Sequence, residues 1–153
     1  MRIVILFGSE MGTAEAAAEC VADELAVTHD VSVHDMTDFD VDDLDIDAFH
    51  IVVCSTYGDG ELPTGAEPFF DALEARRPDL TGLTFAVFGL GDSVYGDTFN
   101  RGGELAAELL TARGATQIGA HGRHDASSEI RVKDMARDWA RALPIASAAA
   151  LAS

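Results

Sequence analysis

The stretch AFHIVVCSTYGDGELP, residues 48–63, runs from a nearly continuous apolar segment straight into hydroxyls, two glycines and two acids. An apolar run with Ile51, Val52 and Val53 at its centre suits a strand covered on both faces, as in a parallel sheet. The polar loop that follows has one aromatic, Tyr57, and little else to pack. Something outside the chain is expected to fill the space it leaves.

Working outward, four more segments read as strands: RIVILF (2–7), DVSVHDM (30–36), LTFAVFGL (83–90) and GATQIGA (114–120). Helical patterns lie between them. GTAEAAAECVADELA (12–26) spaces Ala14, Ala17, Ala18, Val21 and Leu25 along one stripe. AEPFFDALEARR (66–77) tolerates Pro68 in its first turn, and GGELAAELLTARG (102–114) stops at Gly114. EIRVKDMARDWARAL (129–143) turns Ile130, Met135, Trp139 and Leu143 toward the core and ends before Pro144. DMTDFDVDDLDID (35–47) reads as a solvated linker with one turn at most. The alternation predicts an α/β fold, a doubly wound five-stranded parallel sheet with helices on both faces. Residues 1–143 form that domain, and the low-complexity tail 144–153 is expected to fray.

The 153 residues suit one domain, and 48% apolar residues is an ordinary globular composition. No apolar run reaches the length of a membrane span, and MRIVILFGSE reads as a first strand rather than a signal peptide. Cys20 and Cys54 form no close-spaced motif and are expected to fill core space, which points to the cytoplasm. The net charge is −17, and residues 3–75 carry eighteen acids without one Lys or Arg. Such a surface repels nucleic acid and anionic membranes and steers toward a basic partner. Plain solubility, or adaptation to a salty interior, explains the same acidity.

In an open sheet of this kind ligands bind beyond the carboxyl ends of the strands, where strand order reverses. The exits of strands one, three and four are GSEMGTAE, STYGDGELP and GLGDSVYGDTFN. The first joins a strand to a helix start through Gly8 and Gly12 with two hydroxyls, Ser9 and Thr13, and suits a phosphate held by backbone amides. It has no Gly-Lys-Ser/Thr and no cation before Arg76 except Arg2, so amides and hydroxyls must suffice. Ser9 and Thr13 serving only as helix caps is the competing reading. Tyr57 and Tyr95 each sit in a polar, glycine-rich loop, where two aromatics either sandwich a flat ring or pack on the surface. GLGDS lacks the third glycine of a dinucleotide fingerprint. A receiver-type phosphorylation site fails too, because strand three ends in Cys54-Ser55 and strand five has no Lys. Among five histidines only His121 and His124 are close enough to suggest a metal pair, a weak signal.

At these loops the chain resembles the flavodoxin-like family. FGSEMGTAE resembles its phosphate loop, STYGDGELP its second flavin loop and VFGLGDSVYGDTFN its third. PDLTGLTFAVFGLGDSVYGDTF is especially similar to MioC-like short flavodoxins and to the FMN domains of diflavin reductases. The resemblance implies strand order 2-1-3-4-5 and FMN as cofactor; flavodoxin with its FMN is itself a standing illustration of the switch-point rule. It implies phosphate contacts from Ser9, Glu10, Gly12, Thr13 and Ala14, with Met11 where many relatives have a phosphate-binding Thr. It further implies flavin contacts from Ser55, Thr56, Tyr57, Gly58, Asp59 and Gly60, and from Leu90, Gly91, Asp92, Tyr95, Phe99 and Asn100. Tyr57 and Tyr95 match the stacking positions, and Gly58 the residue whose peptide turns over on flavin reduction. Met11, and the acid Glu10 beside an anion, imply weaker FMN binding than the family's best.

The loop acids Asp59, Glu61 and Asp92 then have a redox use. One negative charge ~10 Å from the ring at an effective dielectric of ~20 opposes the reduced, anionic flavin by ~1.7 kcal/mol, some tens of millivolts. The function expected is a monomeric electron carrier, shuttling single electrons from a basic NAD(P)H-dependent flavoprotein reductase to an acceptor enzyme. The alternatives are an FMN-dependent NAD(P)H quinone or nitro reductase, and an interaction module that keeps only the fold.

Overall fold

The computed structural model describes residues 2–8, 12–56, 62–91, 101–126 and 128–144. Its parallel sheet takes the order β2-β1-β3-β4-β5, from β1 (Arg2–Gly8), β2 (Asp30–Asp35), β3 (Phe49–Cys54), β4 (Thr84–Gly91) and β5 (Thr116–Gln117). A further strand, β6 (Gly122–Asp125), also pairs with β4. The helices are α1 (Thr13–Leu25), α2 (Glu67–Arg76), α3 (Arg101–Ala112) and α4 (Val132–Ala142).

The alternation of side chains along each strand divides the core in two. Ile3, Ile5, Phe7, Ile51, Val53, Ala86 and Phe88 face α1 and α4. Val4, Leu6, Val52, Cys54, Phe85 and Val87 face α2 and α3. β1, β3 and β4 are buried on both faces, so they read as unbroken apolar runs; β2, at the edge, is half-buried at best and alternates. The α1 stripe read from the sequence is the stripe observed, with Ala14, Ala17, Ala18, Val21 and Leu25 all buried.

Three expectations need correction. The fifth strand is not one segment over 114–120. The chain pairs with β4 only at Thr116 and Gln117, turns away at Gly119 (φ 79°), and returns as β6 beside Phe88–Gly91. Gly122 makes that return feasible, since a Cβ there would sit 2.5 Å from the Phe88 ring and 3.0 Å from Trp139. The acidic stretch 35–47 is not merely a solvated linker. It forms two 3-10 turns, Met36–Asp38 and Val41–Asp43, whose Met36 and Val41 are buried. Asp35 and Asp40 cap them by accepting from the amides of Thr37 and Asp42, and Arg76 pairs with Asp40 and Asp42. Lastly, Ile130 is not in the core but 58% exposed, because α4 starts two residues later, at Val132. The Ile130 carbonyl is instead bonded to the His124 ring at 2.8 Å.

Candidate functional site at the carboxyl ends of the strands

β1, β3 and β4 end together. Gly8 lies opposite Cys54, and Cys54 opposite Gly89. The Ser55 amide extends the ladder by donating to the Gly8 carbonyl at 3.1 Å. The chain therefore leaves β1 and β3 side by side, and Leu90 and Gly91 close the row one strand over, beside His124 and Asp125 of β6. The sequence placed its three candidate loops after these strands, and the fold brings the three strand exits to one end of the sheet.

At the first exit α1 begins directly after Gly12, which takes a left-handed φ of 88°. Among the described residues no side chain caps this helix, so Thr13 does not serve as a cap. The first amides of a helix have no intrahelical acceptor, and the dipole there favours an anion. Space around Gly12 is open, with no atom of the described residues within 4 Å of where a Cβ would stand. Thr13 is exposed and Ala14 fully buried, so the helix start presents a hydroxyl and backbone above an apolar base.

At the second exit Ser55 and Thr56 are half-buried. The Thr56 hydroxyl accepts a hydrogen bond from the Gly102 amide at 3.0 Å, joining the loop after β3 to the first turn of α3. Helix and loop touch backbone to backbone. A Cβ on Gly102 would lie 3.0 Å from both the Ser55 carbonyl carbon and the Thr56 Cα, and deep inside the Ser55 carbonyl oxygen. Gly103 is nearly as tight, with Gly89 Cα at 3.2 Å and the His121 ring at 3.1 Å. Two glycines in a helical first turn weaken the helix, and the close approach of α3 to β3 and β4 is the reason for them. Sequence reading took Gly102 only as a helix start and Thr56 only as a flavin contact. The glycine pair GG at 102–103 was the signal for this junction.

Cys54, directly beneath the site, is fully buried and its thiol is pushed up to about 12 by loss of solvation. It donates to the Ser55 carbonyl at 3.4 Å and stays protonated. His121, behind α3, is drawn down to about 4 by burial first and by Arg123 second, with Glu104 opposing. Its Nδ1 lies 3.2 Å from the Gln117 amide nitrogen, while the His124 ring bonds to the Ile130 carbonyl. The two histidines read as a weak metal pair thus each have a different partner.

Of the sequence-predicted site residues, Gly12, Thr13, Ala14, Ser55, Thr56, Leu90 and Gly91 are brought to this end. Ser9, Glu10, Met11, Tyr57, Gly58, Asp59, Gly60, Asp92, Tyr95, Phe99 and Asn100 lie outside the described residues, as does Glu61.

The described residues fit an anionic group such as a phosphate at the start of α1. A helix start with no side-chain cap among the described residues, the Thr13 and Ser55 hydroxyls and backbone amides supply neutral donors, and the strand ends supply an apolar base. Comparison with known proteins gives the same answer. The flavodoxin family model matches residues 5–139. A MioC homolog of Haemophilus influenzae is 37% identical over 118 residues, 77% of this chain and 80% of its own length. The NADPH–cytochrome P-450 reductase of Saccharomyces cerevisiae is 34% identical over 126 residues, 80% of this chain but 18% of the reductase. Among solved structures, a cysteine-to-alanine mutant of flavodoxin from Pseudomonas aeruginosa matches with a TM-score of 0.82 at 35% identity, covering 100% of both chains. The chain belongs to the flavodoxin family and is an electron carrier that works through a bound FMN.

Proposed function

We propose that FMN is held by residues 9–14 at its phosphate, with Ser9, Glu10, Met11, Gly12, Thr13 and Ala14 closing around it through backbone amides and hydroxyls. The ring lies between the loops at 55–60 and 90–100, with Tyr57 and Tyr95 against its faces and Ser55, Thr56, Gly58, Asp59, Gly60, Leu90, Gly91, Asp92, Phe99 and Asn100 around it. The observation that carries this reading is the meeting of an uncapped α1, with Gly12 at φ 88°, and the ends of β1, β3 and β4 at one end of the sheet. When bound, FMN takes up and gives back electrons singly. The protein's part is to fix the ring edge near the surface, to keep the Cys54 thiol below it neutral, and to hold the two ring loops in register through Thr56 and Gly102.

We further propose that the carrier is a monomer of the cytoplasm, taking electrons from a basic NAD(P)H-dependent flavoprotein reductase and passing them to an acceptor enzyme. Self-repulsion from a net charge of −17 favours the monomer, and the unpaired Cys20 and Cys54 suit a reducing compartment. Among the described residues no helix is long and apolar enough to cross a membrane. The test of the site is to titrate the flavin-free protein with FMN and with riboflavin, following quenching of flavin fluorescence. FMN is expected to bind far more tightly, and equal affinities would remove residues 9–14 from the site.

A further inference from the structure

The two edges of the sheet are finished differently. On one side the strand breaks after Thr116 and Gln117, and the chain turns at Gly119 and returns as β6. On the other side β2 runs unbroken from Asp30 to Asp35, every residue in register with one of β1, with no bulge and no proline. A strand spends only half of its backbone groups on one neighbour, so an edge strand presents the other half unpaired. No backbone hydrogen bond among the described residues reaches the outer edge of β2. A straight, valine-bearing edge of this kind is a template for a further strand.

The side chains beside that edge decide which strand it takes. Residues paired across β1 and β2 share a face. Asp30, Ser32 and His34 therefore stand with Arg2, Val4 and Leu6 on the α2 side, while Val31 and Val33 pack against the core under α1 and α4. The two 3-10 turns dock on β1 and α2 and leave a groove of about 300 Å³ next to β2. The buried Val4 forms its base, and Phe39, whose ring lies 5.2 Å from that of His34, forms a wall. Its charges are lopsided. Asp30 and Asp43 are exposed and form no ion pair among the described residues, whereas the arginine of the groove, Arg2, is held by Asp45 at 2.6 Å. Asp35 closes the other end of the strand with a further acid. A second copy of the chain is a poor occupant, since it would set DVSVHD against itself, acid near acid, on top of a net charge of −17. The same charges favour a cationic strand.

We propose that the outer edge of β2 and the groove beside it bind an extended, basic segment of a partner protein, which adds to the sheet as a further strand. Backbone bonds to β2 hold the segment, alternate Lys or Arg side chains meet Asp30 and Asp43, and an apolar side chain rests on Val4 and Phe39. None of these residues belongs to the flavin site proposed above, so this surface and that site stand or fall separately.

The test uses the FMN-loaded protein and a short labelled peptide that alternates Lys with Val and Thr, at ~0.15 M salt. The expected result is binding in fluorescence anisotropy, with shifts in the amide NMR signals of β2 and slowed hydrogen exchange at every second β2 amide. An Asp30→Asn, Asp43→Asn double variant binds roughly two- to thirtyfold more weakly, as loss of two exposed ion pairs should. Methylating the backbone nitrogens of two adjacent central residues of the peptide, which blocks both of its edges, abolishes binding. A methylated peptide that binds as well as its parent overturns the proposal, by showing attraction of charge alone. Amide shifts confined to another surface, an unchanged affinity in the double variant, or no binding at millimolar peptide overturn it too. Protection of β2 amides that grows with protein concentration, without peptide, gives the edge to a second copy and also overturns it.

Discussion

Replacing Gly102 with alanine adds one methyl group at the point where α3 meets the loop after β3. The new Cβ would stand 3.0 Å from the Ser55 carbonyl carbon and 3.0 Å from the Thr56 Cα, and closer still to the Ser55 oxygen. All three are backbone atoms, so no side chain can swing aside; the helix start or the loop must move. Forcing extra carbon into a closed contact costs about 1–3 kcal/mol. Movement also breaks the 3.0 Å bond from the Gly102 amide to the Thr56 hydroxyl, worth about 1 kcal/mol. Alanine recovers about 0.5–1 kcal/mol through better helix propensity, which leaves a net loss of roughly 1–3 kcal/mol. For a domain of this size that lowers Tm by about 3–10 °C. Because Ser55 and Thr56 open the second of the loops proposed to hold the flavin, FMN affinity is expected to fall at least in proportion. Thermal melts of the flavin-free protein and FMN titration read the two effects separately. Gly82→Ala is the control: Gly82 has φ 94° and no atom within 4 Å of a Cβ, and it lies at the opposite end of β4. It should lose about 1–2 kcal/mol to backbone strain with no change in FMN affinity. A Gly102→Ala protein as stable as the parent and binding FMN as tightly would refute the junction.

Three further outcomes are expected. Tyr95→Ala weakens FMN binding by roughly 1–3 kcal/mol, and Tyr57→Ala by the same or less, in fluorescence titration; two variants that bind like the parent would make these surface residues. His50 is buried with no well-aligned hydrogen bond to either ring nitrogen among the described residues, and desolvation draws it down to about 4; nearby backbone groups of Ala48 and Thr84 and the charge of Asp45 offset this only in part. Its unfolded form takes up a proton near pH 6.5 and the folded form does not, so stability is full above that pH and falls toward pH 4, by up to ~3 kcal/mol. Urea melts between pH 7 and 4 should show a shallower fall in His50→Phe, and an identical fall would clear His50. Lastly, reduction by a basic reductase should slow steeply with rising ionic strength, and neutralising Asp59 and Glu61 should flatten the dependence. A rate that stays level in stopped-flow experiments would leave the acids to solubility alone.

The buried strands were the most legible part of this sequence because being covered on both faces leaves a continuous apolar run. RIVILF and FHIVVC could hardly be placed elsewhere. The α1 stripe was legible for a similar reason, since alanines at helical spacing admit few other partners. The misreadings arose where one or two residues decide the outcome. Met36 and Val41 are single apolar anchors among acids, too sparse to show a period, yet each is enough to dock a 3-10 turn. The break in the fifth strand depends on Gly119 and on the fit of Trp139 over Gly122, whose indole also donates to the Ala120 carbonyl at 2.8 Å. That is a contact between segments seventeen residues apart, and no local pattern announces it. Ile130 was misplaced because the helical period extends backward past the true start of α4, where the His124 ring takes up the Ile130 carbonyl.

The site itself was legible through what its loops lack. A strand exit rich in hydroxyls, glycines and acids, a helix with a glycine as its N-cap and a first turn with two glycines are each poor choices for a self-sufficient fold. They occur together at one end of this sheet, while the opposite end is closed by ordinary means: αL turns at Gly82 and Gly114, Leu80 and Leu83 tucked under the sheet, and the Arg76 pairs to Asp40 and Asp42. Among the described residues, these contacts tie the opposite end of the sheet together. Binding to the folded state alone adds stability in proportion to the logarithm of ligand over Kd. FMN is therefore expected to raise the melting temperature of the flavin-free protein. The Thr56–Gly102 junction joins the loop after β3 to the start of α3. It belongs to neither loop alone, and so the order of the strands, rather than any motif, is what creates it.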